Sequence, residues 1–282
     1  MVAVRSIALL VTLTAIIVPP SSGRPRSGSA GTLFSQSAAE ALNRDFPNSD
    51  ISYLLLDANT DQVLTSRWER PDVPVPLGSL VKPFVALAYG EQHGFVYPLH
   101  KCRGVASGCW RPGGHGDVDL TAGIAYSCNS YFRVLTADLS ASDVLATTTR
   151  FGIEPPDRGA SGEALAGIGA QWRISPLRMA RAYVELTRRR HDVSVMPILE
   201  GMVRSARRGT GAAVDRALRT HIALVKTGTA PCAHSPHSPG DGFTVALTPA
   251  DDPKILLMVR VHGVPGSQAA RIAGQMLRRI ED

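Results

Sequence analysis

The order of elements predicts an α+β fold: a five-stranded antiparallel sheet flanked by helices, with a helical subdomain inserted between its strands. Three observations lead there. Two β-prone runs between Ile51 and Trp68 flank a natural turn, Ala58-Asn59-Thr60-Asp61. Helical periodicity dominates from about residue 96 to 200, in pieces separated by Gly/Pro loops. Three further β-prone runs, HIALVKTGTA, DGFTVALTP and KILLMVRVHG, precede an amphipathic closing helix, SQAARIAGQMLRRI. Strands from both ends of the chain can then share one sheet with the helical block alongside.

The elements follow in order. Arg5 precedes 13 mostly apolar residues, Ser6 to Val18, closed by Pro19 and Pro20. That run is short for a bilayer span and suits a secretory leader, with small residues at Gly23 or Ala30 as cleavage points; an uncleaved membrane anchor is the alternative. Residues 1–30 are therefore read as signal peptide and flexible leader, residues 31–282 as one folded domain, and the chain as exported, periplasmic or extracytoplasmic. SQSAAEALNRDF is the first helix, starting near Leu33, and ISYLLLDANTDQVLTSRW the hairpin. VPLGSLVKPFVALAYGEQHG reads as a buried helix with Ser79 at its N-cap and Lys82 one turn on, on the same face. The helical block comprises LTAGIAYSCNSYFRVLTADL, SDVLATTTRF and SPLRMARAYVELTRR. There is no internal repeat.

Composition narrows the function. The 282 residues are 44% hydrophobic and 19% charged with a net charge of +6. The basic residues are not interleaved with aromatics, so no nucleic-acid partner is expected. Four cysteines in an exported chain allow a disulfide; Cys102 and Cys109, flanking KCRGVASGCW, are the candidates for a local bridge. No histidine pair stands at ligand spacing beside them, so no metal and no cofactor are expected. A bridge between Cys128 and Cys232 stays open. Cys128, turned away from its neighbours by helical geometry, reads as a buried inert thiol. His115 reads as structural, and Trp110 and Trp172 as packing residues.

Three short motifs carry chemistry: Ser79-Leu80-Val81-Lys82 opening a helix, Ser127-Cys128-Asn129 in the helical block, and Lys226-Thr227-Gly228-Thr229 ending a strand. A serine hydroxyl is a poor nucleophile until a base takes its proton. Lysine can be that base only when neutral, and burial beside a second cation, Lys226, would make it so. Each motif alone is common; the three in this order are specific. On them, and on the stretches LLLDANTDQVLTS, GHGDVDLTAGIAYSCNSYF, GIGAQWRISPLRMARAYVEL and LEGMVRSARRGTGAAVDRAL, the chain resembles the transpeptidase domain of penicillin-binding proteins over about residues 51–261.

The resemblance implies a serine acyl-transferase acting on peptidoglycan stem peptides and acylated by β-lactams. Ser79 would be the nucleophile and Lys82 its base. Ser127 would bridge Lys82 and Lys226 to relay a proton. Backbone N–H groups of Ser79 and Thr229 would form the oxyanion hole, and Asn129 would orient the substrate amide. Lys226, Thr227 and Thr229 would hold the terminal carboxylate, with Gly228 letting substrate approach the strand. A cell-wall synthesis partner is also implied. The same chemistry admits a class D-like β-lactamase or a non-catalytic sensor. Class D enzymes usually carry a hydrophobic residue where Asn129 stands and place their tryptophan further upstream than Trp172. Class A enzymes supply a deacylating glutamate from a loop that the surroundings of Glu154 and Glu163 do not match.

Overall fold

The computed structural model describes residues 29–219, 221–232 and 240–281. In chain order the elements are α1 (Ser29–Asp45), β1 (Ile51–Asp57), β2 (Val63–Ser66), β3 (Val75–Pro76) and α2 (Lys82–Gln92). Then come β4 (His100–Cys102), β5 (Gly116–Val118), α3 (Leu120–Ala125), α4 (Asn129–Ala137), α5 (Ala141–Arg150) and α6 (Gly162–Leu165). β6 (Arg173–Ile174), α7 (Pro176–Arg188), α8 (Met196–Arg208) and α9 (Ala212–Ala217) lead to β7 (Leu224–Ala230), β8 (Asp241–Thr248), β9 (Ile255–His262) and α10 (Gly266–Glu281).

The predicted five-stranded antiparallel sheet is present, ordered β2-β1-β9-β8-β7. Its central strands are apolar on both faces because both faces are covered. Tyr53 and Leu55 pack into one layer with Leu42 of α1, Val214 of α9 and Ala273, Met276 and Leu277 of α10. Leu54 and Leu56 point the other way, into a larger layer containing Phe84 of α2, Phe132 of α4 and Tyr183 of α7. The hairpin turn forms as the sequence demands: Asp57 Oδ1 accepts from the N–H groups of Asn59 (2.8 Å) and Thr60 (2.9 Å). β7 lies at the sheet edge, so one side of the third motif is free of any strand partner among the described residues.

Three expectations are corrected, and two ribbons appear that the sequence pattern does not show. LTAGIAYSCNSYFRVLTADL is not one helix: Asp119 caps α3 through Ala122 N (2.7 Å), and the chain breaks at Ser127, whose φ is +50°, before α4 begins. The third motif lies within β7 rather than at its end. Two small ribbons, β3–β6 and β4–β5, have strands of two or three residues, too short for periodicity to reveal. The first helix starts at Ser29, so cleavage after Ala30 would fall inside it. The leader reading of Ser6 to Val18 lies outside the described residues. Among those residues no helix is long and apolar enough to cross a membrane.

Candidate active site

Gly78 adopts φ +57° and opens a 3₁₀ turn, Gly78–Val81, that runs into α2. Ser79 therefore sits inside the turn and does not cap the helix; no side chain caps either segment. The turn is pressed onto β7 by missing side chains. A Cβ on Gly78 would stand 2.2 Å from the Thr229 carbonyl oxygen, and one on Gly228 would stand 2.4 Å from that of Leu77. Gly228 thus makes room for the serine turn itself, a role the sequence does not assign to it. Gly167, in the glycine-rich turn before β6, approaches Gly78 O in the same way (2.4 Å).

Lys82 is wholly buried at the start of α2. Its Nζ donates to the Ser127 carbonyl (3.0 Å) and to Asn129 Oδ1 (2.6 Å), and lies 5.1 Å from the centre of the Phe132 ring. The Ser79 hydroxyl is not among its hydrogen-bond partners. Burial lowers the Lys82 pKa to about 7, with Arg133 pushing the same way and the nearby Cys128 and Cys109 opposing. Lys226, also fully buried, donates to Ser127 Oγ (2.9 Å) and Thr227 O (2.7 Å). Its pKa falls well below the ordinary lysine value, first through burial and then through repulsion from Lys82. Among the described residues neither lysine pairs with a carboxylate, so the site favours neutral amines.

Ser127 contacts both lysines, with different atoms for each. Its hydroxyl meets Lys226, while its carbonyl accepts from Lys82 and from the indole N–H of Trp110 (3.3 Å). Its left-handed backbone is costly for a residue with a side chain and marks a position held by its surroundings. A cleft of about 330 Å³ gathers Ser79, Ser127, Asn129, Thr227, Gly228 and Thr229 in one place, the residues that the three motifs singled out. A larger depression of about 800 Å³ against α8 contains none of them.

Residues without an assigned role complete the cleft. Trp110, half exposed, overhangs it, whereas Trp172 is the packing residue expected, buried with its indole N–H on Glu154 O (2.8 Å). Thr210 accepts a hydrogen bond from the Thr227 hydroxyl (2.7 Å), and the Thr229 hydroxyl accepts from Gly266 N–H (3.0 Å). Thr210, in the turn between α8 and α9 with its N–H on Ala125 O (3.1 Å), and Gly266, the first residue of α10, reach the site through tertiary packing that no local sequence pattern announces.

The cysteines depart furthest from expectation. Cys102 and Cys109 are free thiols, not a bridge. The sulfurs of Cys102, Cys109 and Cys128 and one ring nitrogen of His115 lie within 4.8 Å of one another. These four residues could hold a metal ion, a grouping that histidine spacing in the sequence does not reveal. Cys128 is buried as expected, but it is the N-cap residue of α4 with an extended backbone and faces that cluster. Cys232 lies elsewhere, its sulfur 3.5 Å from His262 Nδ1, so Cys128 and Cys232 are not joined.

A family model for the penicillin binding protein transpeptidase domain matches residues 52–281. The chain belongs to that family. Solved structures agree on the fold at low identity. Penicillin-binding protein 2 of Pseudomonas aeruginosa, in complex with WCK 5153, is 17% identical with a TM-score of 0.70, over 88% of this chain and 73% of that one. The transpeptidase domain of Burkholderia pseudomallei penicillin-binding protein 3 gives 16% and 0.67, over 90% and 93%. Helicobacter pylori penicillin-binding protein 2, in complex with MreC, gives 17% and 0.70 over 86% of this chain. This chain spans only 62% of that last protein. No curated protein matches the chain.

Proposed function

We propose that this transpeptidase-family chain is a serine D,D-transpeptidase that acylates Ser79 with peptidoglycan stem peptides ending in D-Ala-D-Ala and is trapped by β-lactams. The observation that carries the proposal is the convergence of two buried, unneutralised lysines on Ser127 at the wall of the cleft that holds Ser79.

Ser79 Oγ bonds to the penultimate carbonyl carbon, and its proton passes to neutral Lys82. The oxyanion is met by the N–H groups of Ser79 and Thr229, a reading supported by the close approach of Gly78 to the Thr229 backbone; each such donor contributes about 3 kcal/mol. The C–N bond then breaks, and the proton reaches the leaving amine through Ser127, whose hydroxyl is already aligned by Lys226. The open edge of β7 pairs with the extended substrate, and the Thr227 and Thr229 hydroxyls face its terminal carboxylate. A stem-peptide amine on a second strand takes the acyl group and restores Ser79.

The lining favours transfer over hydrolysis. Among the described residues no carboxylate lines the cleft, so none stands ready to activate water on the acyl-enzyme. Glu154 is occupied by Ser175 N–H (3.1 Å) and Arg178 (3.5 Å), and Glu163 by Arg133 (2.7 Å). Asn129, hydrogen-bonded to Lys82, occupies the place where a class D enzyme needs an apolar pocket. Export by the Ser6 to Val18 segment, and a cell-wall partner of the kind seen with the H. pylori protein, belong to the same proposal. Fluorescent penicillin should label the chain covalently at Ser79, and Ser79→Ala should abolish the label; labelling that survives the substitution overturns the mechanism.

A further inference from the structure

Between β4 and α4 the chain does something the acyl-transfer chemistry does not require. The loop 103–115 doubles back so tightly that a Cβ on Gly104 would stand 1.9 Å from Pro112 O, and one on Gly114 would stand 2.3 Å from Cys102 O. Both glycines adopt positive φ, +70° and +75°. The result is that Cys102 at the end of β4, Cys109 in the loop and His115 before β5 converge on one point. Cys128 reaches the same point from the start of α4. The three cysteines are buried, at 2%, 5% and 0% exposure.

The spacing of their ligand atoms is that of a coordination shell. A tetrahedral zinc ion, about 2.3 Å from sulfur and about 2.0–2.1 Å from nitrogen, requires edges of about 3.8 Å between sulfurs and about 3.5–3.6 Å between sulfur and nitrogen. Cys109 Sγ lies 3.8 Å from Cys128 Sγ, and His115 Nδ1 lies 3.5 Å from Cys109 Sγ and 3.6 Å from Cys102 Sγ. A disulfide would use two of these groups and leave a third sulfur and an imidazole aimed at it. Three thiolates and one imidazole in a closed tetrahedral set select zinc, and closed sets of four protein ligands are structural rather than catalytic.

We propose that Cys102, Cys109, His115 and Cys128 bind one zinc ion that positions the second active-site motif. Cys128 stands between Ser127 and Asn129, so the metal fixes the peptide that carries both. It holds Ser127 in its left-handed conformation, its hydroxyl toward Lys226 and its carbonyl toward Lys82. The ion also cross-links the β4–β5 ribbon, three residues per strand and too short to be stable alone, to the helical block. It takes no part in bond making. These residues are positioning groups, and the link to acylation rests on the proposed function.

Metal analysis of the full chain, purified without chelator, tests the binding directly. One equivalent of zinc per chain is expected, with intact-protein mass showing four reduced cysteines. Cobalt substitution should give the intense visible absorption of a tetrahedral thiolate site. Cys109→Ser should lose stoichiometric metal, and His115→Cys should keep it, which separates lost ligation from lost folding. In the unaltered protein a chelator should lower Tm and slow penicillin labelling, and added zinc should restore both. A protein that holds no metal after zinc addition, contains a Cys102–Cys109 disulfide, or carries a different metal at one equivalent overturns the proposal. Zinc loading with no Ser79 labelling at any metal content would instead overturn the acyl-transfer reading and leave the metal site standing.

Discussion

On one wall of the cleft the third motif lies within β7, its residues paired in register with β8 from Leu224↔Leu247 to Ala230↔Asp241. On the other the second motif hangs between α3 and α4, where no ladder reaches and Ser127 takes a backbone conformation that costs energy. The strand wall is positioned by main-chain hydrogen bonds and by glycines that let backbones touch. The loop wall is positioned by side chains: Lys82 and Trp110 on the Ser127 carbonyl, Lys226 on its hydroxyl, and the Cys128 sulfur beneath. Added side-chain bulk should therefore damage the first wall, and side-chain removal the second.

On the loop wall, Lys82 gives the largest effect. Lys82→Met should slow penicillin acylation by about 10²–10⁴-fold, the usual worth of a general base, in a stopped-flow or labelling assay. The same change removes a buried amine that is costly to keep in the fold, so Tm should rise rather than fall. Loss of activity with loss of stability would mean that Lys82 is a packing residue. On the strand wall, Gly228→Ala should force the serine turn away from β7 and misplace an oxyanion donor, at a cost of about 10²–10³-fold. Unchanged acylation in that variant would show that the close approach is not needed.

The pH profile separates the base from its neighbours. With the Lys82 pKa near 7, the amine is protonated and inactive below that pH, so acylation should fall about tenfold per unit under pH 7 and level off above it. Linkage has the matching sign. Between about 7 and the ordinary lysine value the unfolded chain holds the proton and the folded one does not, so this group makes stability rise with pH across that window. The smallest effect belongs to Trp110→Phe. It removes two long hydrogen bonds, to Tyr126 O and Ser127 O, and should slow acylation only several-fold, about 1 kcal/mol.

Much of this was legible in residue order. The apolar, β-prone run ISYLLLD, the Ala58–Asp61 turn and the three late β-prone runs specify the sheet because each is a local signal. The three motifs identify Ser79, Lys82, Ser127 and Lys226, and the fold brings all four to the cleft region. What stayed hidden depends on contacts across sequence. Thr210 enters the site from the turn between α8 and α9, and Gly266 from the start of α10. Cys102 meets Cys128 only after a glycine-driven reversal and a helix break that periodicity smooths over. A continuous helix through Ser127 would turn Cys128 away from the three residues it meets; the break at Ser127 turns it toward them.

The central claim is that Ser79 forms an acyl-enzyme that outlasts the chemistry that makes it. A chromogenic cephalosporin mixed with the purified chain measures that lifetime. The account predicts a burst of about one equivalent, absent in Ser79→Ala, followed by almost no turnover, because no carboxylate lines the cleft among the described residues. Sustained turnover after the burst would contradict it and identify a hydrolase.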